Sequence, residues 1–551
     1  MNGSMPLAVE RQNRQHSGRA LWPGVLALGL IALLALGAVL ALVMAGGDGF
    51  GDPGPWRRVP GIVAFTLEQA MLSTALSLAA GMALALALSR HPRFAGRPMI
   101  LALLAVPLAL PALVAAIGLL ALFGRAGLVS EIMVALGGER LIGIYGLSGI
   151  LLGHVFFNMP LVARLMLQAL DQIPADQWRL ASQLGFSNRD RFRLVEWPVM
   201  RGQIAGIATL VFMLCVTSFT IVLILGGGPG ATTLEVAIYQ ALRFDFAPDR
   251  AALLTLAQIT LTVTAIVLFA RAGKALPMEA ALSVAPSSRA RFEGSDRPAI
   301  LGSLVIAAGI ATVLLPLAAI IWRGLTSDLM RLLLDPAVWR AAGWSVALGS
   351  TAAVLATVLA LALTSSRIAD TEHLPQQYAE FLFDKSASLV LVFPPVVIGA
   401  GWFLLLYTRF DVFALAPVMV ITVNAAMAMP FAMRVLRPGV DSNATRHDRL
   451  CQSLGINGWQ RWRLIDWPVL RRPLTVAFVF AFALSLGDLG VIALFGSDAV
   501  QTLPRLLYNR LGAYRTGDAA GLALLLALAC LGLMLLAERL RHDDTPGAIE
   551  R

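Results

Sequence analysis

A chain of 551 residues that is 58% hydrophobic and only 14% charged, with a mean hydropathy of +0.76, is too apolar for a soluble domain of its size and reads as a polytopic membrane protein. Its net charge of +10 comes from 41 arginines and two lysines, Lys274 and Lys385; beside membrane spans such charge reports orientation, so no nucleic-acid partner is expected. Three scattered cysteines, Cys215, Cys451 and Cys530, suggest neither a disulfide framework nor a metal site.

Residues 1–20 form a tail carrying Arg11, Arg14 and Arg19. The apolar run 21–45 that follows is too long for the core of a secretory signal and suits a spanning helix. Further runs lie near 62–89, 99–123, 141–169, 202–226 and 251–270, and a second six near 299–322, 341–364, 386–408, 412–436, 473–496 and 519–537. Each run is long enough for a hydrocarbon core about 30 Å thick. Twelve spans in two sets of six place both termini on one side. That side carries 30 of the 43 Lys and Arg residues, which marks it as the cytoplasm.

The expected domains are therefore a cytoplasmic tail (1–20), a first transmembrane half (21–270), a linker rich in Pro, Ser and small residues (271–298), a second half (299–540) and a cytoplasmic tail (541–551). The fold class is all-α, with about twelve transmembrane helices in two parallel six-helix repeats.

The repeat is explicit in one stretch. Met159 to Arg201 aligns without a gap to Met429 to Arg471, and fifteen of the 43 positions are identical, including Arg164/Arg434, Gly185/Gly455, Arg191/Arg461 and Pro198/Pro468. Weaker echoes pair Ser89-Arg90 with Ser366-Arg367 and Tyr239 with Tyr508. Both copies are Arg-rich loops on the cytoplasmic side. In the first, Pro174 suits the opening turn of a short amphipathic helix over 175–184, Gly185 suits its left-handed cap, and Ser187 or Asn188 can cap a further turn with Asp190. In the second, Ser442 or Asn443 is expected to start the short helix, Gly455 to stop it, and Asn457 with Gln460 has capping-box spacing. A ten-residue helix is too short to be stable alone, so it implies docking into a partner. Contact with membrane lipid would explain one such helix, but lipid does not require two matched copies.

These loops resemble the membrane subunits of ATP-binding-cassette importers, whose signature is EAA, three residues, Gly, nine residues, then I-x-L-P. Counting from the glycines gives Val195-Glu196-Trp197-Pro198 and Ile465-Asp466-Trp467-Pro468. The EAA positions hold Arg179-Leu180-Ala181 and Arg449-Leu450-Cys451, so an arginine replaces the signature glutamate in both halves. The resemblance implies that these residues, with Leu184, Gly185, Leu454 and Gly455, form coupling helices seated on a homodimeric ATPase. It also implies a periplasmic substrate-binding protein, and ATP and Mg held by the partner ATPase. Within the superfamily the chain is most similar to the fused, two-half permeases of thiamine and thiamin pyrophosphate importers, strongest at His154 to Pro160, Leu225 to Thr233, Leu450 to Gly455 and Leu484 to Gly490. The related fused iron(III) permeases share the duplicated layout. The chain carries no phosphate-binding loop, because its only Gly-Lys pair, Gly273-Lys274, is followed by Ala275 and lacks the preceding glycine. No catalytic residue and no cofactor of its own are therefore expected.

Ionisable residues inside a membrane are costly and merit a role. Asp488, aligned with Ser218 in the repeat, either caps helices or faces a pathway where the thiazolium cation implied by the resemblance would be attracted, with Phe219 or Phe495 as an aromatic face. Glu68, His154 and Asn158 invite the same pair of readings, a buried interhelical network or a pathway site. His154 has no second ligand at metal spacing. The glycine-rich Gly226 to Thr233 is expected to make a tight periplasmic turn, and Arg243, Asp245, Asp249, Arg250, Arg505, Arg510, Arg515 and Asp518 to be solvated or to meet a docked protein.

Two other classes compete. A 6+6 secondary transporter would concentrate its signature between the second and third spans, where this chain has only residues 89–97, and would not duplicate a long loop between the fourth and fifth. A membrane-embedded hydrolase lacks the paired histidines it would need.

Overall fold

A computed structural model describes residues 21–45, 58–91, 94, 96–139, 143–272, 300–368, 378, 382, 383, 393–407 and 410–542. The N-terminal tail, nearly all of the C-terminal tail and of the linker, and both lysines lie outside them. Every regular element among the described residues is helical. The main helices are α1 (Trp22–Ala45), α2 (Val59–Arg90), α3 (Ala112–Phe123), α4 (Leu147–Asp171), α5 (Ala175–Gln183), α6 (Trp197–Val216), α7 (Thr220–Leu225), α8 (Leu234–Arg243) and α9 (Pro248–Ala272). In the second repeat they are α10 (Ile300–Leu325), α11 (Pro336–Arg367), α12 (Pro395–Leu406), α13 (Ala416–Ser453), α14 (Trp467–Leu486), α15 (Gly490–Phe495), α16 (Leu503–Gly512) and α17 (Thr516–His542). Among the described residues eleven helical segments are long and apolar enough to cross a membrane, and α12 is a shorter apolar helix.

The third run of the first half is not a simple span. Residues 99–123 break at Leu110 and Pro111, both extended (ψ 138° and 137°), because a proline denies the preceding residue the helical region. The chain resumes as α3 after Pro111; in the second half α12 likewise begins after an extended proline, Pro394. The fifth runs also divide: α6 stops before Thr217 and α14 before Gly487, and each is followed by a short helix, α7 or α15.

The compact units do not follow the two sequence halves. One unit comprises Met1–Ala41, Ala342–Gln501 and Gly532–Arg551; the other comprises Leu42–Ala341 and Thr502–Leu531. In the first unit, α1 packs with helices of the second repeat. Trp402 donates its indole N–H to the Leu34 carbonyl (3.0 Å), and Gly24 donates its N–H to Ser366 Oγ (3.0 Å). Close approach is possible because the contact residues are small: a Cβ on Gly401 would lie 2.6 Å from Ala38 Cα.

In the other unit, α10 packs with helices of the first repeat. A Cβ on Gly309 would meet the Leu84 side chain at 2.8 Å, and one on Gly118 would meet the Pro316 carbonyl at 2.8 Å. Thus the leading helix of each half belongs to the unit built mainly from the other half. Hydrophobic runs identify a helix but not its neighbour, and lipid is as apolar as a leucine face, so small-residue contacts decide the pairing. A close seam in this unit joins α2 to α4, where a Cβ on Gly81 would lie 2.5 Å from Val162 Cβ.

Candidate functional site

In the first copy of the repeated loop, Pro174 is the N-cap of α5, with ψ 144° ending the continuity with α4. Helix α5 closes in a Schellman motif: Phe186 N–H donates to Ala181 O (3.0 Å), Gly185 N–H donates to Ser182 O (3.1 Å), and Gly185 has φ +63°. Ser187 then caps the next turn. Asp190 N–H donates to Ser187 Oγ (3.3 Å) and Ser187 N–H donates to the Asp190 carboxylate (3.2 Å), a complete capping box.

The second copy repeats the ending but not the beginning. Ile456 N–H donates to Cys451 O (2.9 Å), Gly455 N–H donates to Gln452 O (3.3 Å), and Gly455 has φ +65°. The expected start at Ser442 or Asn443 is not there, however, because α13 runs unbroken from Ala416 to Ser453. Ala444 stands where the first copy has Pro174 and continues the helix. The Asn457–Gln460 box does not form either; Asn457 caps the turn with its backbone alone.

The two helix ends present the same surface. Arg179, Leu180, Leu184 and Gly185 are exposed, as are Arg449, Leu450, Leu454 and Gly455, while Ala181 and Cys451 face inward and are buried. An arginine beside two leucines one turn apart makes a small apolar face with a charged edge, suited to a groove in another protein. Underneath, the copies differ. Trp178 and Ile173 are buried in the first; the aligned Asp448 and Asn443 are polar in the second, where Asp448 pairs with Arg461 and Asn443 Nδ2 donates to Asp466 Oδ1 (2.6 Å). The signature segments Phe192–Glu196 and Trp462–Asp466 are π turns. Val195 is buried and Ile465 half-buried, while Pro198 and Pro468 are exposed at the starts of α6 and α14.

The residues considered for a pathway are dispersed. Asp488 accepts from the N–H groups of Gly490 (3.3 Å) and Val491 (3.4 Å), so its carboxylate caps α15. His154 Nδ1 lies 2.8 Å from Ser73 Oγ, and Asn158 Nδ2 donates to Cys215 Sγ (3.3 Å), which ties α4 to α2 and α6. Gln69 Nε2 extends that seam to the Cys215 carbonyl (3.1 Å). Glu68 is exposed, although its neighbours Thr66 and Gln69 are buried. Ser218 is half-buried in the break between α6 and α7, and Phe219 stacks edge-on against Tyr239 (5.4 Å). Phe495 is fully buried and packs at 5.8 Å from Phe403. Among the described residues no three His, Cys, Asp or Glu side chains group as a metal site.

Two elements went unseen in the sequence. The first is α8, with its counterpart α16, in stretches read there as loops; Thr233 and Thr502 at their N-caps and the repeated Tyr239/Tyr508 were the available signals. In α8, Glu235 is fully buried and neither carboxylate oxygen has a hydrogen-bonding partner among the described residues, so burial pushes its carboxyl well above the usual carboxylate range. The second is the pairing within the charges around Asp518: Arg510, Arg515 and Asp518 were expected to be solvated or to meet a docked protein, but Asp518 is a buried carboxylate that pairs with Arg331, Arg510 (3.3 Å) and Arg515 (2.8 Å), while Arg510 also holds Asp335 (2.8 Å). The glycine-rich segment does turn tightly, with Gly227 and Gly228 at φ +70° and +144°; a Cβ on Gly227 would lie 2.7 Å from Tyr145 Cβ.

Residues 75–275 and 378–542 match the family model described as "Binding-protein-dependent transport system inner membrane component", once in each sequence half. The chain is 52% identical over 522 residues to the thiamine transport system permease protein ThiP of Brucella abortus (strain 2308), covering 94% of each chain. It is 40% identical over 536 residues to the ThiP of Salmonella typhimurium, covering 95% of this chain and 98% of the relative. Against the ThiP of Escherichia coli (strain K12) the identity is 41% over 529 residues, covering 94% and 96%.

Proposed function

Because this chain belongs to the binding-protein-dependent transport system inner membrane component family, we propose that it is the translocation subunit of an ATP-driven importer of thiamine and its phosphates. One chain supplies both halves of the pathway. A homodimeric ATPase, holding ATP and Mg, engages the two repeated loops from the cytoplasm, where both termini also lie; a periplasmic binding protein delivers substrate from the other side. Closure of the ATPase dimer drives the loops together and turns the pathway outward. The chain contributes shape and movement and no covalent chemistry.

The observation that supports this reading most directly is the duplicated helix end. Two segments 270 residues apart close in the same Schellman geometry and expose the same Arg-Leu face. Their undersides are built differently, so shared fold alone does not explain the shared outer face; a symmetric partner does.

The test is uptake of thiamine into proteoliposomes holding the chain, its ATPase and its binding protein. Uptake is expected to require all three and ATP, and to resist excess iron(III). Uptake on an ion gradient by the chain alone would overturn the reading.

A further inference from the structure

The π turns carry a consequence for how movement leaves the loop. Arg191 and Glu196 are five residues apart, as are Arg461 and Asp466. In an α-helix that spacing leaves two side chains about 140° apart around the axis. A π turn, with hydrogen bonds from i to i+5, returns them to nearly the same side. Accordingly Arg191 Nε lies 3.3 Å from Glu196 Oε1, and Arg461 Nε lies 3.4 Å from Asp466 Oδ2.

In the first copy the same carboxylate reaches a second element. Arg90, the last residue of α2, donates through Nη2 to Glu196 Oε2 (2.5 Å) and through Nε to Glu196 Oε1 (3.2 Å). Glu196 is 1% exposed. In the second copy the shorter Asp466 turns to Asn443 on α13, and Arg367, the aligned end of α11, pairs with Asp441 on α13 instead. Both copies thus fasten the loop region and the end of the second-span helix with ion pairs, each having one buried partner, by different wiring.

Buried ion pairs seldom add net stability over well-packed apolar residues, and a π turn forfeits α-helical geometry. Two costly features kept together in both copies therefore call for a role other than stability. We propose that Glu196 is a positioning residue of the transport cycle: by clamping Arg191 of the loop to Arg90 of α2, it carries displacement of the α5 loop into α2, which the Gly81 seam locks against α4. This rests on the loop being the docking site of an ATPase.

The experiment uses the full complex in proteoliposomes, with Glu196→Gln, Arg90→Gln and Arg90→Lys. Three quantities are read: retention of the ATPase subunit, ATP hydrolysis, and thiamine taken up per ATP. Glu196→Gln and Arg90→Gln are expected to retain the ATPase subunit within twofold and to hydrolyse ATP, while uptake per ATP falls at least fivefold. Arg90→Lys, which keeps one charged contact, is expected to stay within twofold of the parent. The quarter-exposed Arg90 keeps the test available if Glu196→Gln does not fold. Normal uptake per ATP in both Gln variants overturns the proposal, as does equal loss in Arg90→Lys, or loss of the ATPase subunit in step with uptake. Failure of the unsubstituted chain to retain any ATPase subunit would instead overturn the docking reading beneath it.

Discussion

Leu180, Leu184, Leu450 and Leu454 are 55%, 61%, 51% and 62% exposed, so their truncation to alanine removes little that holds the chain together. Their value lies in what they bury on docking. Fully burying a leucine contributes roughly 1.5–3 kcal/mol; scaled to the fraction still exposed, and allowing for the area an alanine retains, each pair loses about 1–2.5 kcal/mol. That is roughly a 5- to 60-fold loss of affinity for each loop. The assay is equilibrium binding of the ATPase subunit to the chain in nanodiscs, with melting temperature recorded alongside. Leu180→Ala with Leu184→Ala, and Leu450→Ala with Leu454→Ala, should each weaken binding, and the combination of all four should weaken it further, with melting nearly unchanged. If the fourfold variant binds within twofold of the parent and melts at the same temperature, the exposed leucine face is not a docking surface.

Two further outcomes follow from buried charge. Asp518→Asn leaves Arg331, Arg510 and Arg515 without their shared carboxylate; with Arg331 and Arg515 about half exposed, the loss should be about 2 kcal/mol, read as a lowered melting temperature, whereas Arg515→Gln should cost under about 1 kcal/mol. Glu235 gives a pH dependence of known sign. Its folded-state carboxyl titrates above the unfolded value of 4.5, so its contribution to stability is full below about pH 4.5 and is lost as pH rises through the folded value. Glu235→Gln should therefore match the parent near pH 4 and melt higher than it near pH 8; an unchanged difference across that range would refute the assignment.

The membrane class, the duplication, the loop that carries it and the left-handed caps at Gly185 and Gly455 were legible in the residues alone. These depend on composition, on aligned identities and on a backbone conformation that glycine adopts without a steric penalty. The break at Leu110-Pro111 did not show there, since an apolar window averages over a local extended pair.

The remaining features depend on packing between segments distant in the chain, which the folded structure supplies. It placed α1 and α10 each with helices of the other repeat, through close contacts of glycine and alanine that hydropathy does not register. It made the second short helix part of the long α13, where Ala444 replaces the interrupting Pro174. It joined Arg191 to Glu196 by a π turn, a pairing that the 3.6-residue period of an α-helix forbids and that no reading of spacing alone would select.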